Sequence, residues 1–352
     1  MLALHQNRKQ PLDRPVPAQQ KQLSRRSDVL MVAPFENCVL TIGKFEGVHL
    51  GHRALICEVV NRARELGVPS VVAAFDPHPF TLLRDPSYKP IFTLPERVKL
   101  IRALGIDHIV TFNFDHALAA MPAHDFCNKI AADLHPREII VGENYRFGNS
   151  RGGSIETLRG IAEVNIFQQK TLGALPPTPH KPLKRLDPNF ETEIISTSRV
   201  REFLEVGDFA QAEELLGFPF FVSGVVTKGK QLGRVLGFPT LNLYPDGDKF
   251  LPQNGVYETR TTINGVSMVG ITNIGLRPTV SCPIETQISV ETHIPSLIAA
   301  PNEMYDKHIQ VEFTRFMRPE CKFNSAEELS AQIKKDLGGL RPPIPLQGDK
   351  SP

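Results

Sequence analysis

Short apolar runs alternate along the first half of the chain with stretches whose apolar positions recur at helical spacing. "CVLTIG", "SVVAAFDPHP", "HIVTFNF" and "REIIVG" read as strands, and "HRALICEVVNRARELG", "LPERVKLIRALG" and "HDFCNKIAADLHP" as helices. In the first helix Leu55, Ile56, Val59, Val60, Ala63 and Leu66 make one stripe. Val and Ile runs separated by such helices predict an α/β layer with a mostly parallel sheet, because a crossover helix is what connects adjacent parallel strands. This domain is expected over residues 31–217.

Inside it, "LPPTPHKPLKRLDPN" at 175–189 packs in prolines that helix interiors and central strands do not tolerate, so an exposed excursion is expected. Helical spacing resumes in "SRVREFLEVGDFAQAEELLG", with Ser198 as a cap and Gly207 and Asp208 dividing it into two short helices. From Phe218 the pattern changes to short strands: "FFVSGVVTKG", "GVYETRTTING", "VSMVGITNIG", "QISVETHI" and "KHIQVEFTRFM". "TTINGVS" is a hairpin signal, since Asn264 and Gly265 accept the positive φ of a type I′ turn. An antiparallel sheet or small barrel is therefore expected over 218–341. It ends in a helix "SAEELSAQIKKDLGGL", capped by Ser325 with Glu328 in the capping-box position. Residues 1–30 read as a loose polar arm and 342–352 as a frayed Pro-rich tail.

The 352 residues suffice for two cores. Forty Lys and Arg against 38 Asp and Glu leave a net charge of +2, and Trp is absent, so neither a broad basic field nor a stacking platform for nucleic acid is indicated. Five cysteines, at 38, 57, 127, 282 and 321, are scattered without a C-x-x-C pair, which argues against a disulfide scaffold or a four-thiolate zinc site and fits a reducing cytoplasm. The basic opening lacks the apolar segment of a secretory signal, and no apolar run approaches the ~18 residues of a membrane span. A cytoplasmic protein without a membrane partner is expected.

The chemistry concentrates in "TIGKFEGVHLGH", residues 41–52. His49 and His52 in isolation read most plainly as turn residues satisfied by backbone groups. A zinc reading is weaker, because further ligands at finger-like spacing are missing. Position adds another reading: a strand leads into Gly43 and Gly47, and a helix starting near Gly51 or His52 turns its unpaired N–H groups toward the strand's carboxyl end. Phosphate oxygens are stabilised at such a terminus, and imidazoles three residues apart can add donors.

"GKFEGVHLGH" resembles the G-N-F-D-G-x-H-x-G-H signature of bacterial bifunctional riboflavin kinase/FAD synthetases. The resemblance extends over Cys38 to Leu340 through further motifs in order: "FDPHP" (75–79), "GENYRFG" (142–148), "ISTSRVR" (195–201), "GKQLGRVLGFPTLN" (229–242), "NIGLRPT" (273–279) and "VETHI" (290–294). It implies an α/β nucleotidyltransferase-like parallel-sheet domain that adenylylates FMN, followed by an antiparallel β-barrel riboflavin kinase domain. In the first, the resemblance implies that His49 and His52 hold the ATP phosphates, together with Gly43, Phe45 and Gly47 of the turn and Ser198, Arg199 and Arg201 of "STSRVR". Asp76, Asn144 and Arg146 would contact flavin.

In the second, Gly229, Gly233 and Arg234 would cover the phosphates of a second ATP. Thr240 and Asn242, at i and i+2 on one face of an extended segment, would share Mg²⁺ with them. Glu291 matches the catalytic glutamate, accepting the proton of the ribityl hydroxyl as it attacks the γ-phosphorus. Substrates and products are then ATP, riboflavin, FMN and FAD, with weak self-association left open.

The chain departs from the family at Lys44 and Glu46 (usually Asn and Asp), at Glu143 (usually Asp), at the Thr197–Ser198 order, and in "HIPSLIAAPNEMYDKHI", where H-x-x-D-F is customary. These departures keep two alternatives open. One is a riboflavin kinase with a weak or inactive adenylyltransferase module, the other a flavin-binding regulator.

Overall fold

The structure, a computed structural model, describes residues 36–168, 195–229, 232–245, 248–278, 286–297 and 301–341. The expected arm, excursion and tail, at 1–30, 175–189 and 342–352, lie outside these residues.

The first half contains β1 (Cys38–Ile42), α1 (Leu50–Leu66), β2 (Ser70–Asp76), α2 (Pro79–Leu83), α3 (Leu94–Arg102), β3 (His108–Asn113), α4 (His116–Ala120), α5 (Ala123–Leu134), β4 (Pro136–Gly142), α6 (Ile155–Leu158) and β5 (Glu163–Phe167). Its strands form one five-stranded sheet in the order β3-β2-β1-β4-β5, every pairing parallel. The expected α/β layer is present, with helices on both faces. Along β1, Val39 faces a core shared with Ile56, Val59 and Val60 of α1 and Ile101 of α3. Its alternate neighbours Cys38, Leu40 and Ile42 face a second core with Phe126, Cys127 and Ile130 of α5. Period-two alternation in a strand buried on both sides is why "CVLTI" is apolar throughout.

The edge strand β5 was not among the expected strands. Its "EVNIF" carries exposed Glu163, Asn165 and Ile166, so it lacks the continuous apolar run that marks the central strands.

Helices α7 (Thr197–Glu205) and α8 (Phe209–Leu216) follow, divided at Gly207 and Asp208 as expected, and Asp208 caps α8 by accepting from Gln211 N. The cap of α7 is Ser196 rather than Ser198: Ser196 Oγ accepts the Arg199 N–H at 3.3 Å, and Ser198 is already inside the first turn. Similarly α1 starts at Leu50, because the imidazole of His49 supplies the cap acceptor for His52 N.

The second half contains β6 (Phe221–Thr227), α9 (Leu232–Val235), β7 (Leu241–Pro245), β8 (Gly255–Ile263), β9 (Val266–Pro278), β10 (Thr286–His293), β11 (His308–Arg318) and α10 (Ala326–Gly338). Six strands close into an antiparallel barrel in the order β10-β7-β6-β11-β8-β9. The β8–β9 hairpin turns at Asn264 (φ 51°) and Gly265 (φ 78°), the positive pair that a type I′ turn requires. Strand β7 was not anticipated as a separate strand, yet it closes the barrel between β6 and β10.

A single apolar cluster joins barrel residues such as Val222, Leu243, Tyr257 and Phe313 to Val200, Leu204 and Phe209 of α7 and α8. It continues to Ile91 and Phe92, before α3. Among the described residues no helix is long and apolar enough to cross a membrane.

Candidate active sites

The sheet order places β1 between β2 and β4, so the chain leaves β1 toward one side and returns to its other side only at β4. A crevice opens at the carboxyl ends of strands at such a switch point. The turn from Gly43 to His49 leaves β1 there, Asp76 ends β2, and Asn144 and Arg146 follow β4 as exposed residues.

Within the turn, Phe45 (φ 46°) and Val48 (φ 43°) adopt left-handed conformations that compress it. The Phe45 side chain is buried in the core with its ring edge-on to His52 at 5.3 Å, so only its backbone can meet a ligand. The rings of His49 and His52 stack with centroids 3.7 Å apart. His49 Nδ1 accepts the His52 N–H at 3.3 Å, which leaves the imidazole proton on Nε2. Burial pulls the His49 imidazole down to about 4, against smaller opposing effects of its backbone and Glu46. It also pulls His52 well below its ordinary value, with help from His49 and Lys44. Both rings are therefore neutral at pH 7 and act as hydrogen-bonding groups rather than charges. His52 Nδ1 is buried without a hydrogen-bond partner.

The segment 195–201 lies alongside. A Cβ on Gly51, in the first turn of α1, would stand 3.8 Å from Ile195 O, so the N-termini of α1 and α7 converge. Ser198 is exposed at that end. Arg199 pairs with Glu202 at 2.8 Å and lies over Phe203 at 4.3 Å. Arg201 is held by protein groups: its Nη2 donates to Glu46 Oε1 and to Lys89 O, both at 2.7 Å, and its guanidinium lies over Tyr88 (4.4 Å) and Phe250 (4.9 Å).

Glu46 is the centre of a buried network that the sequence did not reveal. Its Oε1 accepts from Ile91 N at 3.1 Å and from Tyr88 Oη at 2.9 Å, besides Arg201. Its Oε2 accepts from Tyr88 Oη at 2.7 Å and lies 3.2 Å from His78 Nε2. Burial alone would raise this carboxyl, but His78, Arg201 and Tyr88 outweigh it and hold it below the usual range. His78 Nδ1 accepts from Phe80 N, so its proton sits on Nε2 facing Glu46, and burial holds this ring near neutral form with its value lowered to about 4. The contact is thus between a neutral imidazole and a carboxylate at pH 7, and the ionic partner of Glu46 is Arg201.

Arg97 is a second unanticipated residue. Fully buried on α3, it donates to Lys44 O (2.9 Å), Phe75 O (3.2 Å) and Asp76 Oδ1 (3.1 Å), tying the ends of β1 and β2 together. Burial raises the Asp76 carboxyl and Arg97 opposes that rise. Tyr88, Ile91 and Arg201 lie 42, 45 and 155 residues from Glu46, and Arg97 lies 21 residues from Asp76, so local spacing carries no signal of these pairings.

The barrel holds a separate constellation. Glu291 of β10 stands in register with Asn242 of β7 on one side and Asn273 of β9 on the other. Residues directly opposite share a face of the sheet, so one carboxylate is flanked by two amides. Thr240, Gly233, Asn273 and Glu291 line a cavity of about 390 Å³ together with Phe238 and with Leu329 and Ile333 of α10. Asn242 is buried beneath, and a Cβ on Gly229 would overlap its side-chain amide. Glycine there lets the backbone press onto Asn242. Arg234 is exposed on α9.

Arg318, Glu320 and Cys321 also line the cavity. Arg318 is held bidentately by Asp336 of α10, with Nη2 to Oδ2 at 2.8 Å and Nε to Oδ1 at 3.0 Å, which fixes the helix against the barrel. Among the described residues no group of three or more His, Cys, Asp or Glu could hold a metal ion. Neutral oxygens beside one carboxylate are nevertheless a suitable donor set for Mg²⁺, which keeps most of its waters and shares phosphate oxygens.

Two family models match in succession: FAD synthetase over residues 32–177 and riboflavin kinase over residues 216–341. The bifunctional riboflavin kinase/FMN adenylyltransferase of Escherichia coli (strain K12) is 34% identical over 315 residues, covering 87% of this chain and 93% of that protein. The protein of the same name from Bacillus subtilis (strain 168) is 31% identical, covering 85% and 90%. A crystal structure titled macrolide-efflux protein, from Streptococcus pneumoniae, superposes with a TM-score of 0.71 at 24% identity over 87% of this chain and 94% of that one, which shows a shared fold. By both domains and by full-length similarity, the chain belongs to the bifunctional riboflavin kinase/FMN adenylyltransferase family.

Proposed function

We propose that this chain makes FAD from riboflavin in two ATP-dependent transfers at two separate sites. The observation that carries the reading is the alignment of Glu291 between Asn242 and Asn273 over the barrel cavity, on a chain that places the histidine turn at the switch point of a different domain.

In the barrel, Glu291 takes the proton of the riboflavin 5′-hydroxyl as its oxygen attacks the γ-phosphorus of ATP; the bond to the β-phosphate oxygen breaks and ADP leaves. Thr240 and Asn242 are the residues that would hold Mg²⁺, whose charge offsets that of the transferring phosphoryl group. Gly229 and Gly233 let the backbone approach the phosphates, with Arg234 at the rim. The apolar wall of Leu236, Phe238, Leu329 and Ile333 suits a planar flavin ring.

At the carboxyl ends of the parallel strands, a phosphate oxygen of FMN attacks the α-phosphorus of a second ATP and pyrophosphate leaves. His49 and His52 present neutral N–H donors at the N-terminus of α1, alongside Ser198 and Arg199 at the N-terminus of α7. Positioned donors are what this transfer requires, since no covalent enzyme intermediate is needed. Gly43 and Gly47 belong to the same cradle, while Arg201 and the Phe45 ring support it from behind. Asp76, Asn144 and Arg146 lie on the flavin side.

The test is a time course of purified protein with riboflavin, ATP and Mg²⁺, resolving riboflavin, FMN and FAD. FMN should rise first and FAD follow. FMN without FAD would refute the second transfer, and no conversion would refute both.

A further inference from the structure

Lys249 lies between β7 and β8, in the half of the chain that forms the barrel, yet its side chain is fully buried against α3 of the other half. Its ammonium donates to Glu96 Oε2 at 2.6 Å and to Ile91 O at 2.9 Å, and sits over the rings of Phe92, Phe220 and Phe221 at 4.4, 5.2 and 5.4 Å. Glu96 is occupied on every side: Oε2 also accepts the Thr93 N–H at 3.0 Å, and Oε1 accepts from the hydroxyl and the N–H of Ser223 in β6. A buried ion pair is a poor stabiliser compared with apolar side chains of the same volume, because desolvation offsets its attraction. What it supplies is direction, since a satisfied buried polar network fixes one arrangement of the groups it joins.

Here the group fixed is the main chain of Ile91. Its C=O is held by Lys249 and its N–H by Glu46 of the histidine turn at 3.1 Å. The next barrel-side residue reinforces the link: Phe250 N donates to Pro90 O at 2.8 Å, and its ring lies under Arg201, which itself binds Glu46. One residue of backbone therefore separates the histidine turn of one domain from a buried cation of the other.

We propose that Lys249 is a positioning residue for the histidine turn, so that adenylyl transfer depends on a side chain contributed by the kinase half while phosphoryl transfer does not. The inference rests on the two-transfer reading. Without the ammonium, Ile91 O loses its donor, the 90–92 segment relaxes, and Glu46 and the turn shift with it. A displacement of about 1 Å at reacting groups costs on the order of a hundredfold in rate.

The experiment compares full-length wild type, Lys249→Met and the double variant Lys249→Met/Glu96→Gln, each assayed for riboflavin phosphorylation and, separately, for FAD formation from supplied FMN, with thermal midpoints. Met fills the volume among the phenylalanines. Gln at position 96 removes the carboxylate charge that Lys249→Met would leave unpaired; with its oxygen toward Thr93 N and its NH₂ toward the Ser223 hydroxyl, which can turn to accept, it gives up only the 3.3 Å bond from Ser223 N, so the double variant regains stability over Lys249→Met without restoring the donor to Ile91. The expected result is a fall in kcat for FAD formation of about tenfold or more in both variants. KM for FMN and the phosphorylation rate should stay near wild type, and the midpoint should recover in the double variant. Recovery of kcat together with the midpoint, equal loss of both reactions, or an unchanged kcat would each overturn the proposal while leaving the two-transfer reading intact. A wild type that makes FMN but no FAD would instead sink that reading, and this inference with it.

Discussion

Replacing Glu46 with Gln keeps the shape of the side chain and removes its charge, which tests whether the buried network holds the histidine turn. Two demands then conflict. If the amide oxygen faces Arg201 and Ile91 N, the amide NH₂ faces His78 Nε2, whose proton is fixed there because Nδ1 accepts from Phe80. If the amide is flipped, its NH₂ opposes Arg201 and Ile91 N, and both lose an acceptor. Losing a hydrogen bond to a charged group costs about 1.5–3 kcal/mol, and breaking a fully buried pair about 3–5 kcal/mol.

Glu46 is 4% exposed but Arg201 is 17% exposed, so water compensates part of the loss and the lower figure applies. The expected destabilisation is about 2 kcal/mol. Urea titration of wild type, Glu46→Gln, Arg201→Met and the double variant measures it, and the double-mutant cycle isolates the pair, for which a coupling above about 1 kcal/mol is expected. Since Arg201 also lies over Tyr88 and Phe250, its own substitution should cost more than the coupling alone. A coupling near zero would refute the reasoning that Glu46 and Arg201 act together, and full adenylylation by a destabilised Glu46→Gln would refute the hold of their network on the histidine turn.

Glu291→Gln preserves size and removes the proposed proton acceptor, so FMN formation should be suppressed while adenylylation of supplied FMN persists; comparable loss of both would indicate general damage. Replacing His49 and His52 together with Ala should do the reverse, and a folded variant by circular dichroism with undiminished FAD formation would assign the pair to the turn alone. Stability should fall as pH drops from about 6.5 toward 4. The unfolded chain protonates His49 and His78 near 6.5 and the folded chain only at about 4, so the unfolded state binds more protons throughout that window. At about 1.4 kcal/mol per pH unit, each ring contributes a loss of about 2 kcal/mol by pH 5. Asp76 and Glu312, whose carboxyls burial raises, act in the opposite sense at the acid end. A urea midpoint unchanged between pH 7 and 5 would contradict the buried neutral imidazoles.

The sequence disclosed what is written in local period. Central strands buried on both faces had to be continuous apolar runs, and the stripe on α1 had to recur at helical spacing, so layer and barrel were both readable. Strand β5 escaped because an edge strand needs neither run nor strict alternation, and Glu163 and Asn165 disguise it. Ser196 was passed over as the cap of α7 because three hydroxyl residues in a row, Ser196 to Ser198, offer equivalent starts, and only the 3.3 Å contact to Arg199 N separates them. The motif positions were legible through resemblance, but their partners were not. Arg97 with Asp76, Lys249 with Glu96 and Arg201 with Glu46 are separated by 21, 153 and 155 residues, and nothing in the composition of one segment specifies an acceptor so distant in the chain.

Position 46 shows how such a distant set behaves as a unit. The signature that this turn resembles has Asp where the chain has Glu, and an extra methylene there would be damaging if the carboxylate had to meet a ligand at a fixed distance. In this fold the added reach is taken up by protein: it brings the carboxylate within 2.7 Å of Arg201, 2.7 Å of Tyr88 and 3.1 Å of Ile91 N. An Asp on the same backbone would stand back by about 1.5 Å, one carbon–carbon bond, and those contacts would exceed hydrogen-bonding range. The turn's backbone is held from α3 as well, through Lys44 O, which accepts from Arg97. The departure at position 46 therefore changes what lies behind the histidines rather than the histidines themselves, and on the two-transfer reading its effect on adenylyl transfer runs through Tyr88, Arg201 and the Ile91 main chain that receive the longer side chain.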